Sequence, residues 1–175
     1  MTFAARTRRL LLTVIAASLP LLAWPLTSDS DFEDKPWQEV ETKLPPFPQP
    51  ENRIPFYVSA TTDNQFFIDD PSISLGSDGV VRYTLVIVSP SGAENISYEG
   101  MRRLTAEHRV YAFGRADKTW SKARKDQWTV IANNSLKRHH AELYSQYFCT
   151  VGIVLRDADD ARRVLQRGGH RSLKQ

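Results

Sequence analysis

Two adjacent histidines, His139-His140, are the first side chains in this sequence whose type and proximity invite chemistry. Imidazole ligates metals and transfers protons near neutral pH. Adjacent residues on a helix, however, point about 100° apart. The pattern of two histidines four residues apart with a glutamate between them is absent, and Glu142 completes no ligand spacing. The expectation is therefore no metal and no cofactor, with His140 packed or hydrogen-bonded at a sheet edge and His139 solvated. Asp69-Asp70 and the cluster Asp157, Asp159 and Asp160 lack the alternating oxygens and central glycine of a calcium loop, and read as turn and cap residues. Cys149 is the single cysteine, which excludes an intramolecular disulfide and a cysteine-based zinc site; with no histidine placed locally to activate it, it reads as a small hydrophobe. No nucleophile elbow, phosphate loop or dinucleotide fingerprint occurs. What remains is a polar set, Glu99, Arg102, Arg103, Arg124 and His140 with Trp120, which makes a surface site only if the fold gathers it into one cleft. No catalytic residue is nominated.

The elements that must position these residues are legible from turn formers and periodicity. Short apolar runs at Phe56-Tyr57-Val58 and Phe66-Phe67-Ile68 read as strands. Ser72 to Leu75, the turn Gly76-Ser77-Asp78-Gly79 and Val80 to Val88 read as a hairpin, Asp-Gly supplying the turn's positive φ. Val81, Tyr83, Leu85 and Ile87 alternate onto one face, and the second half of that strand is expected to be covered on both sides. Further strands are expected at Asn95 to Met101, Arg109 to Phe113 and Trp128 to Ile131, the short connections favouring an antiparallel meander. Trp120 and Trp128 read as seam fillers. Asn133-Asn134-Ser135 precedes a helical stripe of Leu136, His140, Leu143, Tyr144, Tyr147 and Phe148. Asp157 caps a shorter helix bearing Ala161, Val164 and Leu165, which Gly168-Gly169 ends. The fold class expected is α+β: an antiparallel meander sheet packed by one longer and one short C-terminal helix.

Around that domain, placed at 54–167, the chain changes character. Arg6, Arg8 and Arg9 precede an apolar run of fifteen residues, Leu10 to Trp24, broken by Pro20. A helix that spans a bilayer needs about 20. Residues 1–28 thus read as a signal peptide, with an uncleaved anchor in the inner membrane, facing the periplasm, as the alternative. Residues 29–53 form an acidic, proline-rich tether that no helix can accommodate, either a spacer or a strap docked through Trp37, Leu44 and Phe47. Residues 168–175 form a basic flexible tail.

The composition, 175 residues with 41% hydrophobic and 25% charged, is that of a globular domain and excludes collagen-like, coiled-coil and polytopic membrane classes. The formal charge of +3 is misleading. Residues 1–28 contribute three bases and no acid; residues 29–100 carry 13 acids against 4 bases, and residues 101–175 carry 7 against 16. Apart from the leader the chain is formally neutral and strongly divided.

Several pieces in order, Val81-Arg82-Tyr83-Thr84-Leu85, Ser89 to Ala93, Asn95 to Arg102 with its Glu99-Gly100-Met101-Arg102, Val110 to Gly114, Trp120-Ser121-x-Ala123-Arg124, Trp128 and Tyr147-Phe148-Cys149, resemble the CNP1-like family of proteobacterial exported proteins. The resemblance spans roughly 55–149. It implies a small envelope-directed domain of unassigned biochemical role. It also implies a cysteine just after the Glu-Gly-x-Arg, where this chain has Arg103, so that Cys149 lacks its partner.

The function expected is an exported, periplasmic or secreted cell-envelope protein acting as a non-enzymatic binding or structural module. Its partner would be an envelope protein or an anionic surface, met through the basic C-terminal half. The alternative is an envelope hydrolase or small-ligand-binding enzyme using the polar cluster on the sheet. Lys118, Lys122, Arg124, Lys125 and Lys137-Arg138, interleaved with Tyr111, Trp120 and Trp128, have the composition of a single-strand groove, yet export argues against nucleic acid as the partner.

Overall fold

The computed structural model describes residues 36–134, 137–149 and 155–169. The expected signal at 1–28, Ser135 and Leu136 at the start of the longer helix, and the tail beyond Gly169 lie outside them. Seven antiparallel strands form one sheet: β1 (Arg53–Pro55), β2 (Gln65–Leu75), β3 (Val80–Val88), β4 (Glu94–Arg102), β5 (Glu107–Gly114), β6 (Trp120–Lys122) and β7 (Thr129–Val130). Their order is β1-β2-β3-β4-β5-β6, with β7 also beside β5. Helix α1 (Arg138–Glu142) runs on as a π-helical segment, Leu143–Phe148, and α2 spans Ala158–Gln166. This is the α+β class, an antiparallel sheet followed by two C-terminal helices. Among the described residues no helix is long and apolar enough to cross a membrane.

The hairpin β2–β3 turns at Gly79, φ +76°, where an L side chain would be strained, and Asp78 Oδ1 accepts the Val80 amide at 3.1 Å. The two expected strands around Asp69-Asp70-Pro71 are one strand, bulged between Asp69 and Ser74. At a bulge Pro71 owes no ladder hydrogen bond, and Ser72 Oγ repairs the gap by donating to the Asp69 carbonyl and accepting the Thr84 amide. The strand expected at Phe56–Val58 sits earlier, at β1, although Phe56 and Val58 are still buried. The segment Trp120–Lys122, too charged beyond Trp120 to read as a strand, pairs with β5. In β3 it is Val80 to Val86 that are buried, while Ile87 and Val88 are half-buried, the reverse of the expected half.

One sheet face carries Ile68, Val81, Tyr83, Leu85 and Met101, in one cluster with Leu143, Tyr147, Phe148, Leu155, Ala161 and Leu165. Burying a side chain such as Phe148 or Leu143 contributes about 1.5–3 kcal/mol, so this face holds the helices. Asp157 accepts the Asp160 amide at 2.7 Å to start α2, and Gly168 and Gly169, both at positive φ, follow its end. The opposite face gathers Tyr98, Tyr111, Ala112 and Trp120.

The chain before β1 lies along this second face as a strap. Trp37 Nε1 donates to the Asp78 carbonyl, Trp120 Nε1 to the Pro45 carbonyl, and the Phe47 and Trp120 rings lie 5.4 Å apart. Trp37 and Phe47 therefore dock, whereas Leu44 remains exposed.

A bulge in β5 sets which side chains share each face of the sheet. Tyr98 pairs with Ala112 but Glu99 pairs with Val110, leaving Tyr111 as the extra residue. A one-residue shift moves every later side chain to the other face. His108, paired with Met101, consequently shares the face of Glu99, while Arg109 and Tyr111 serve the strap side.

Candidate functional site

Glu99 lies in the middle of β4, opposite Tyr83 of β3, and is buried. An unpaired carboxylate there would be prohibitively costly. Its oxygens are therefore occupied: Oε1 accepts from Ser97 Oγ at 2.6 Å, and Oε2 accepts from Tyr83 Oη at 3.4 Å and meets His140 Nε2 at 2.7 Å. Burial works to raise the Glu99 carboxyl, but the charge and hydrogen bond of His140, with that of Ser97, outweigh it and hold the group below the usual carboxylate range. His140 is buried as expected, though over central strand β4 rather than at the sheet edge.

Two more imidazoles flank this pair. His108 stacks on His140 with ring centres 3.9 Å apart, and His139 lies 4.1 Å from His140. His139 is half-buried and stacked on Phe66, not solvated as the sequence suggests. Burial, and then the neighbouring charge of His140, push both His108 and His139 down to about 4, so both rings are neutral at physiological pH. Among the described residues neither ring nitrogen of His108 has a hydrogen-bond partner, and Nδ1 of His140 has none either.

The remaining residues of the expected polar set lie elsewhere. Arg102 stacks its guanidinium 3.8 Å over the Trp37 ring and pairs with Glu107. Arg103 donates to the Leu155 carbonyl at 3.1 Å, and its own carbonyl accepts from Tyr144 Oη and contacts Cys149 Sγ at 3.7 Å. Trp120 belongs to the strap face. Of the six residues, the fold brings together Glu99 and His140, joined by their hydrogen bond, and disperses the others.

On the strap face, Glu39 is the centre of a second polar cluster. Its carboxylate accepts from Arg109, from Tyr111 Oη at 2.5 Å and from Trp128 Nε1 at 3.0 Å, and lies 3.5 Å from Arg82. Arg82, only 3% exposed, is chiefly neutralised by Asp78 at 2.6 Å. The charge that the sequence divides between its halves is thus partly joined by the fold, through Glu39–Arg109 and Asp70–Arg162.

A third feature is a groove of about 960 Å³ along β5 and β6, lined by Arg115, Lys122, Arg124, Lys125 and Lys137 together with Phe113 and His108. Lys122 reaches Asp126 at 3.7 Å and Arg115 donates to Ser121. Arg124, Lys125 and Lys137 have no acidic partner among the described residues.

Sequence reasoning missed His108, Ser97 and Tyr83 as companions of Glu99. Reading Ile96, Tyr98 and Gly100 as one face left Ser97 and Glu99 on the other, and a polar alternation of that kind looks solvated. The signal available was Tyr83 and Leu85 on the adjoining strand, too apolar for a wet face.

A family model described as the CNP1-like family matches residues 32–166. The match extends beyond 55–149, taking in the strap and all of α2. No curated protein and no solved structure matches the chain.

Proposed function

This chain belongs to the CNP1-like family, and from that premise we propose that it is an exported cell-envelope protein acting as a non-enzymatic binding module for an anionic envelope partner. The leader-like composition of residues 1–28 supports export. The observation that carries the binding reading is the groove on β5 and β6, with five cationic side chains and no carboxylate in its lining. Cations on low-dielectric walls concentrate field and draw anions. Glu39 of the strap neutralises Arg109 and Asp78 neutralises Arg82, whereas Arg124, Lys125 and Lys137 of the groove have no acidic partner among the described residues.

The test is co-sedimentation of the purified chain with phosphatidylglycerol vesicles, and pull-down with an anionic polysaccharide, across a salt series. Charge reversal at Arg124→Glu and Lys125→Glu is expected to abolish binding, with Lys43→Glu as the control outside the groove. Binding that is indifferent to salt and to the double reversal refutes the proposal.

An envelope hydrolase is the second reading, favoured by the Glu99–His140 contact alone. Turnover of generic ester, peptide or glycan substrates by the pure chain, abolished by His140→Ala, would replace the first reading with this one.

A further inference from the structure

We infer that Glu99, His108 and His140 form a site for one divalent transition-metal ion. They stand on three separate elements, β4, β5 and α1, all three are buried, and one ligand atom from each lies within 4.8 Å of the others. The sign of a missing partner is His108: it is 6% exposed, and neither of its ring nitrogens is hydrogen-bonded among the described residues. Leaving a buried polar group unsatisfied costs about 1–3 kcal/mol. A bound ion would satisfy one of the two nitrogens by taking the ring's lone pair.

The donor set suits such an ion. Two imidazoles and one carboxylate leave a coordination position open, as in zinc and non-haem iron(II) sites. Ser97 and Tyr83 already hydrogen-bond the carboxylate, one on each oxygen, the kind of support that holds a metal's ligands in place. The ion replaces the proton shared by Glu99 and His140, which passes to solvent. With metal–ligand bonds of about 2.0–2.2 Å, the 2.7 Å contact between Glu99 and His140 opens. To hold one ion the stacked rings of His108 and His140 must tilt so that their in-plane lone pairs converge, and among the described residues no hydrogen bond to Nδ1 of His140 opposes that tilt. His108 also lines the groove on β5 and β6, so the cluster lies next to a solvent-filled opening. The site is independent of anion binding by the groove, and either can fail alone.

The test uses the full chain, free of any histidine tag and stripped with chelator, titrated with Zn²⁺ and with Co²⁺. The expected result is one equivalent bound, visible absorption bands in the Co²⁺ form, and zinc-induced shifts of the imidazole nitrogen signals of His108 and His140. His108→Phe, which keeps the stacked ring without its nitrogens, is expected to weaken Zn²⁺ by at least about 100-fold, and Ser97→Ala by about tenfold. The variant carrying His139→Gln and His170→Gln, the two histidines of the sequence outside the proposed site, is expected to bind like the parent. Absence of saturable binding of both ions, or binding unchanged in His108→Phe, overturns the inference. If His108→Phe fails to fold, the parent spectra decide: shifts confined to His139 or His170 overturn it equally.

Discussion

At the scale of single residues, buried charge is the dominant theme. Glu99→Ala removes the carboxylate that Tyr83, Ser97 and His140 contact and leaves the buried His140 Nε2 without its partner, for an expected loss of about 3 kcal/mol in urea unfolding. Glu99→Gln, which keeps an oxygen acceptor, is expected to lose less. Asp78 gives a pH dependence whose direction is fixed. Burial works against its charge, but the hydrogen bonds from Arg82 and from the Val40 and Val80 amides prevail and hold its carboxyl below 3.8, the value it regains on unfolding. A lowered folded value means that the contribution is fully present above pH 3.8 and is lost as the pH falls below it through the folded value. Asp78→Asn is expected to flatten that acid limb in thermal melts taken between about pH 2 and pH 5.

At the scale of elements, the strap and the bulge can each be tested. Glu39→Ala deprives Arg109, Tyr111 and Trp128 of their shared acceptor. With hydrogen bonds to a charged group at stake, the cost is about 2 kcal/mol, accompanied by faster tryptic cleavage at Lys43 as the strap lifts. Gly100 is required by close approach rather than by a special φ: a Cβ there would lie 2.3 Å from Tyr111 Oη. Gly100→Ala is therefore expected to displace Tyr111 from the strap face and cost about 1–3 kcal/mol, read by unfolding together with the same tryptic assay. The strands were largely legible in the sequence because alternation and turn residues are local. β6 was not, since its pairing with β5 is a property of the neighbour. The merging of two short runs into β2 was hidden by Pro71, a residue that ends strands unless a bulge receives it.

For the whole molecule, the cysteine that the family resemblance implies at position 103 has a spatial counterpart here, because the Arg103 carbonyl contacts Cys149 Sγ. Arg103→Cys is expected to close a disulfide with Cys149. Gel mobility would change on reduction, and stability would rise by up to about 4 kcal/mol for a loop of this length. The division of charge along the chain resolves into two parts: ion pairs that join the halves across the sheet, and a cationic groove left over on β5 and β6. The first part should resist salt and the second should not, so raising ionic strength should release an anionic ligand without shifting the melting temperature appreciably.

Local sequence was enough for the α+β class, the hairpin turn at Gly79, the cap at Asp157 and the inward stripe of Leu143, Tyr147 and Phe148. Each of these rests on a residue's own backbone preference or on a short period of apolar side chains. The companions of Glu99, by contrast, were settled by tertiary pairing. They depend on strand register, and register depends on the extra residue at Tyr111. Without that bulge, His108 would point to the strap face. With it, a histidine nine positions along the chain from Glu99 stands beside it in the core, stacked on an imidazole that α1 brings in from residue 140.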